Sequence, residues 1–243
     1  MGAISLRTLL IIAVTVSAPS TVSAQVLLDA DFDDKTVDSP IGIGGAAAGE
    51  PVYIWNITAI VRDSPMSSPS LEIHDDDNFG TGNASFDFLA HAEISSGFVS
   101  IAADIWIAST ENYHLGVRES GSAACFFLNL EFGENGVGSA RDSTGSVVID
   151  PSYPTGRLIH FEIVFDMDAG SYDLLYDGSL VLEDRAHGVS GCGVGSVFFG
   201  TLDDTDYDGT IHVDNIVVKT YLFMNGFETG DISAWSSATG AAK

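Results

Sequence analysis

Basic residues are scarce in this chain. Nine Lys and Arg stand against 34 Asp and Glu, a formal charge of −25. A surface that negative repels phosphate backbones and anionic membranes, which excludes nucleic-acid binding. Cysteine is scarcer still, with only Cys125 and Cys192. The 7 prolines are outnumbered by 26 glycines that keep no three-residue period, so a collagen-like chain is out. Beyond residue 24 no apolar run approaches the ~20 residues of a membrane span, and no amphipathic helix of three turns can be traced. Zinc-ligand spacing, a serine nucleophile elbow and a phosphate-binding glycine loop are all missing. What is present is 45% hydrophobic residues, with 14 Phe, 7 Tyr and 3 Trp in patterned segments. That excludes disorder and suffices for one sizeable core.

Residues 1–24 have the three parts of a secretory signal. Arg7 is the only charge, Leu9–Val16 is a short apolar run, and Val22-Ser23-Ala24 supplies the small residues of a cleavage site. The expectation is export, with cleavage near Ala24, to the periplasm, cell surface or medium. An even cysteine count agrees with an oxidising destination. A Cys125–Cys192 bridge would contribute about 4 kcal/mol on the chain-entropy model; two buried free thiols are the alternative.

From Gln25 to Tyr221 the hydrophobic pattern has period two. Phe86, Phe88, Ala90, Ala92 and Ile94 alternate with Asp87, Leu89, His91 and Glu93, and Val99, Ile101, Ala103, Ile105 and Ile107 with Ser100, Asp104 and Trp106. Phe126, Leu128, Leu130 and Phe132 repeat the pattern, and so do Ile159, Phe161, Ile163 and Phe165. Each run reads as a strand with one core face. Ser96-Gly97, Asp168-Ala169-Gly170, Asp177-Gly178 and Asp208-Gly209 read as turns. Segments 63–69, 75–83 and 139–154 read as long surface loops. The apolar phase flips between Ile211/Val213 and Ile216/Val218, which predicts a bulge at Asp214-Asn215. The fold class is therefore all-β, a two-sheet antiparallel jelly-roll β-sandwich over residues 25–222 behind a signal peptide, with an appended tail over 223–243.

Segments 160–166 (HFEIVFD), 169–178 (AGSYDLLYDG) and 212–218 (HVDNIVV) resemble the back half of a concanavalin A-like jelly roll. Segment 28–34 (LDADFDD), with Gly44-Gly45 and Gly49-Glu50-Pro51, is similar to the opening of secreted bacterial members. This superfamily includes laminin-G-like modules, lectins, glycan hydrolases and polysaccharide lyases. Its motifs specify fold far better than activity. Segment 225–235 (NGFETGDISAW) resembles a short motif at the ends of exported bacterial proteins, and also the first strand of another sandwich module.

Three constellations carry candidate chemistry. Asp204, Asp206 and Asp208, followed by Gly209, have the D-x-D-x-D-G spacing that wraps a hard cation such as Ca2+. Asn215 stands where an EF-hand places its bidentate Glu, and a solvated hairpin is the alternative. The resemblance implies a second calcium possibility, joining Asp31 or Asp33 to Asp214. By parity His91, Glu93, Asp104, Trp106, Asn129, Glu131, His160 and Glu162 all turn away from the core. If their strands adjoin, they form a polar surface with an aromatic platform, suited to a glycan or cell-surface polysaccharide; an ordinary solvated sheet face is the alternative. Tyr113, Tyr153 and Tyr207 could add stacking or simply pack.

Catalysis finds less support. Glu162 and Asp166 lie roughly 13 Å apart along one strand, too far for a retaining carboxylate pair, while a cross-strand pair such as Glu93 with Glu162 stays open. The glucanase E-x-D-x-x-E strand is missing, as are the acid–base elements of jelly-roll alginate lyases. The net charge argues against anionic glycans. The reading is a secreted, non-catalytic carbohydrate-binding or adhesion module, calcium-stabilised. A neutral-polysaccharide hydrolase and a purely structural envelope protein are the alternatives.

Overall fold

The computed structural model describes residues 24–74, 81–88, 93–109, 112–120, 125–133, 136–149, 153–201 and 209–221. They form two antiparallel sheets. Sheet A holds β1 (Gln25–Ala30), β3 (Thr58–Arg62), β4 (Ser70–His74), β6 (Phe98–Ile107), β11 (Leu158–Asp166), β12 (Ser171–Tyr176), β13 (Ser179–Ala186) and β15 (Thr210–Tyr221). Sheet B holds β2 (Tyr53–Trp55), β5 (Gly82–Asp87), β7 (Tyr113–Arg118), β8 (Phe126–Phe132), β9 (Gly138–Asp142), β10 (Gly145–Ile149) and β14 (Ser196–Thr201). The spatial order is β13-β12-β11-β6-β15-β4-β3 in sheet A, with β1 also on β15, and β10-β9-β8-β7-β14-β5-β2 in sheet B. The chain crosses between the sheets again and again, the jelly-roll path. Apart from a 3-10 turn at Ala46–Ala48, the described residues contain no helix.

The alternating runs do what their period dictates. Val99, Ile101, Ala103, Ile105 and Ile107 of β6 and Ile159, Phe161, Ile163 and Phe165 of β11 are all buried in the interior. Leu128, Leu130 and Phe132 meet them from sheet B, with Phe132 edge-on to Phe161 at 5.5 Å between ring centroids. Tyr113 and Tyr153 belong to this core and are packing residues, not loop platforms; Tyr207 lies outside the described residues.

The bulge is where the phase flip puts it. β15 pairs with β6 as Asp214↔Asp104 and then Val217↔Ala102, and Asn215 takes a φ of 50°. Before the bulge β15 pairs with β4, and after it with β1.

Two expectations need correction. Segment 139–154 is not one loop: it contains the β9–β10 hairpin, with Ser139↔Val148 and Asp142↔Gly145 in register. Its inward positions are the small Gly138 and Ala140, so hydrophobic alternation is faint. In β8 the parity slips once, because a register shift opposes Arg118 to Phe126 and Val117 to Leu128. Phe127 is therefore the buried residue, and Phe126 is 36% exposed.

Cys125 and Cys192 are bonded, with Cα atoms 6.4 Å apart across a separation of 67 residues. The bridge fastens the segment before β14 to the start of β8.

Candidate ligand-binding face

Parity says which side chains leave the core but not which sheet carries them. Asp104 and Trp106 (β6) and His160 and Glu162 (β11) share the outer face of sheet A, with His160↔Asp104 directly paired. Asn129 and Glu131 (β8) lie on the outer face of sheet B, on the opposite side of the sandwich. The eight expected residues therefore do not form one surface, because the chain changes sheet between β6 and β8 and again before β11. Glu93 precedes the isolated Ile94↔Val194 bridge, where its Oε2 accepts from Gly193 N at 3.3 Å. It cannot pair with Glu162, whose Oε1 accepts from Ser100 Oγ at 2.9 Å on sheet A. His91 lies outside the described residues.

The sheet A cluster is largely self-satisfied. His160 Nδ1 bonds Asp104 Oδ1 at 2.6 Å, and Asn215 Nδ2 donates to Asp104 Oδ2 at 2.8 Å. Trp106 meets the buried His212 edge-on at 5.5 Å, and His212 Nε2 is 3.6 Å from Glu72 Oε2. Burial lowers His212 to about 4, so it is neutral at pH 7. Asp214 is buried beneath Ser68, whose Oγ donates to it at 2.5 Å, and Asn215 N donates at 2.8 Å. Burial raises its pKa; those donors pull it down, and Asp104 and Asp33 add to the rise. Asn215 Nδ2 links the two carboxylates, reaching Asp104 Oδ2 at 2.8 Å and Asp214 Oδ2 at 3.4 Å.

A calcium shell takes six to eight oxygens, from carboxylates, carbonyls and water. Among the described residues the sole convergence of three ligand-type side chains is Glu119 with Cys125 and Cys192, and both cysteines are disulfide-bonded. Asp31 and Asp33 sit just after β1, where Asp31 Oδ1 accepts from Asp33 N at 3.2 Å. Asp204, Asp206 and Asp208 lie outside the described residues.

The outer face of sheet B is different. Register aligns two rows across it. One runs Arg141, Asn129, Gly116, Phe198, Ser85, Tyr53, and the other Ser139, Glu131, His114, Gly200, Asn83, Trp55. From β9 to β2 the face is roughly 24 Å wide at the usual strand spacing. Phe198 lies flat over Gly116: a Cβ there would come within 1.9 Å of the ring, so only glycine fits. Phe198 is buried without joining the interior cluster, held by His114 at 5.1 Å, Phe126 at 5.6 Å and the Arg118 guanidinium at 5.0 Å.

Buried hydrogen-bonding atoms without partners gather on this face. Of the six among the described residues, four lie here, Asn83 Oδ1, His114 Nε2, Arg118 Nε and Asn129 Oδ1; Tyr176 OH and His187 Nε2 lie elsewhere. Native structures leave few such atoms, since each costs about 1–3 kcal/mol. Asn129 Nδ2 donates to Glu131 Oε1 at 3.1 Å, which fixes its amide orientation and leaves Oδ1 open. Burial lowers His114 to about 4, and its other nitrogen bonds the Gly82 backbone. Nε2 is then a lone-pair acceptor at pH 7. The face thus offers three acceptors and one charged donor. Tyr53, Trp55 and Phe126 flank them, 43%, 46% and 36% exposed.

At the β8–β9 end the face opens into a pocket of about 540 Å³, bordered by Cys125, Phe126, Asn129, Arg141, Asp142 and Val189. Asp142 holds this wall. Its fully buried side chain accepts from Arg185 Nε at 2.5 Å, Thr144 N at 2.8 Å and Tyr172 OH at 3.0 Å. Burial alone would raise this carboxyl, but hydrogen bonds from Thr144, Arg185 and Tyr172 hold it below its ordinary value.

The sequence reading reached Asn129 and Glu131 and missed His114, Arg118 and Asn83. The signal for the first two of these was available: Tyr113, Leu115 and Val117 alternate with His114, Gly116 and Arg118.

No family model matches this sequence, and no curated protein matches it. Among solved structures, a sialidase matches with a TM-score of 0.57 at 16% identity over 80% of this chain. A carbohydrate esterase from the Shiga toxin-encoding bacteriophage phi24B matches with a TM-score of 0.56 at 8% identity over 82% of this chain. The match covers 19% of the sialidase and 99% of the esterase. Identities this low establish a common fold, the two-sheet sandwich.

Proposed function

We propose that this protein is a non-catalytic carbohydrate-binding module of the concanavalin A-like type, and that its ligand lies across the outer face of sheet B. The observation that carries this reading is the gathering of unpartnered buried polar atoms there. Three acceptors and one donor call for a ligand rich in hydroxyls, which donate and accept alike, and exposed Tyr53, Trp55 and Phe126 suit the apolar faces of sugar rings. The names of the fold neighbours, a sialidase and a carbohydrate esterase, support the same ligand class. The signal-like residues 1–24 and the Cys125–Cys192 bridge support export to an oxidising compartment.

The test is glycan-array binding by wild type, Asn129→Ala and Trp106→Ala. Asn129→Ala should weaken every hit at least tenfold, and Trp106→Ala should leave them unchanged. Loss on Trp106→Ala with retention on Asn129→Ala would move the site to sheet A.

A further inference from the structure

Arg118 is anomalous in so acidic a protein. Lys35, Arg62, Arg141, Arg157 and Arg185 each have a carboxylate oxygen within 4 Å. Among the described residues Arg118 has none; Lys219 also has none there but carries no buried unpartnered atom. Arg118 Nη2 donates to the neutral Ser85 Oγ at 3.2 Å, its guanidinium carbon stands 5.0 Å over the Phe198 ring, and its Nε is buried with no acceptor. A partly buried cation without a counter-charge is costly, and a cation–π contact recovers only about 0.5–2 kcal/mol. Two strands away on the same face, Arg141 is 70% exposed and touches Glu131 only loosely, at 3.8 Å. Asn129, with its open Oδ1, lies on the strand between them.

We propose that the ligand of this face is an acidic oligosaccharide whose carboxylate or sulfate seats on Arg118, with Arg141 at the rim. The proposal rests on the glycan reading above and narrows it. An anionic acceptor completes the one unpartnered buried donor of the face, while sugar hydroxyls donate to Asn83, His114 and Asn129. The overall charge of −25 does not forbid this, because repulsion is screened beyond about 8 Å at physiological ionic strength whereas contact with a partly buried guanidinium is screened far less. Arginine suits the role better than lysine, since its planar fork matches a carboxylate or sulfate.

The experiment is an array printed with uronate-containing, sialylated and sulfated oligosaccharides beside their neutral counterparts, probed with the purified protein. Wild type should favour acidic members at least tenfold over their neutral partners, and the hits distinguish carboxylate from sulfate. Arg118→Gln should abolish that preference at an unchanged melting temperature. Arg118→Lys, which keeps the charge but loses the fork, should fall between the two. Binding confined to neutral glycans, or acidic hits retained by Arg118→Gln, would overturn the inference and leave the glycan site standing. No hit on any glycan would overturn both. Should Arg118→Gln fail to fold, NMR of the wild-type Arg118 Nε–H decides: a shift with the acidic hit and not its neutral partner is expected, and no shift refutes the seat.

Discussion

Replacing Arg185 by methionine isolates the charge that keeps Asp142 in place. The Asp142 side chain is 0% exposed, and Arg185 is its charged partner at 2.5 Å. Removing one member of a buried pair costs about 3–5 kcal/mol, because the other charge stays buried and uncompensated. Arg185 is 24% exposed and donors from Thr144 and Tyr172 remain, which points to the lower end, about 3 kcal/mol. At about 2–4 °C per kcal/mol for a domain of this size, the midpoint should drop by ~6–12 °C at pH 7. The pH dependence follows from the depressed Asp142 value: the pair's contribution is fully present above the ordinary carboxylate range and disappears as pH falls through the folded value, below 3.8. The gap between wild type and Arg185→Met should therefore narrow as pH falls below 3.8. Adding Asp142→Asn to Arg185→Met should recover part of the loss, since neither charge is then stranded. Calorimetry on the four proteins of this cycle is the assay. An Arg185→Met midpoint within two degrees of wild type at pH 7, or a double variant less stable than Arg185→Met, would refute the reasoning.

Two further outcomes are expected. His114 and His212 both have folded values near 4 against an ordinary 6.5. The unfolded chain therefore takes up protons first, and stability should fall as pH drops from 6.5 to 4, by up to roughly 3 kcal/mol per histidine. His114→Gln should remove about half of that loss in midpoints taken at pH 7 and 4.5, and an unchanged loss would count against it. Asp214→Asn, measured in excess chelator at pH 7, should raise the midpoint, because the raised folded value of Asp214 makes its charge destabilising there. A calcium-dependent rise in wild type that Asp214→Asn lacks would instead assign a cation to the Asp33–Asp214 region.

Much of the fold was legible because burial imposes a period. β11 reads Ile159, Phe161, Ile163, Phe165 inward without exception, and the flip at Asp214-Asn215 marks a bulge because the core must be met from both sides of it. Where inward residues are small, as at Gly138 and Ala140, the period has no amplitude and a hairpin resembles a loop. The site was half legible for a different reason. Parity is a property of one strand, whereas membership of a sheet is set by long-range pairing, so Trp106 and Asn129 carry the same sequence signature on opposite faces. Unpartnered atoms such as Arg118 Nε leave no trace in sequence, since a missing partner is a fact of three dimensions.

The two-faced pairing of β15 also governs when this protein can become whole. β15 lies inside sheet A, between β6 and the β4 and β1 strands that share its far edge. Without residues 210–221, sheet A is three fragments: the β13-β12-β11-β6 ribbon, the β3–β4 hairpin, and β1 with no strand to pair. The keystone of the larger sheet is thus the last of the described strands, and it joins the first. Contacts this distant in sequence make closure of sheet A slow. A truncation anywhere before Thr210 should yield no smaller folded protein, only an open chain.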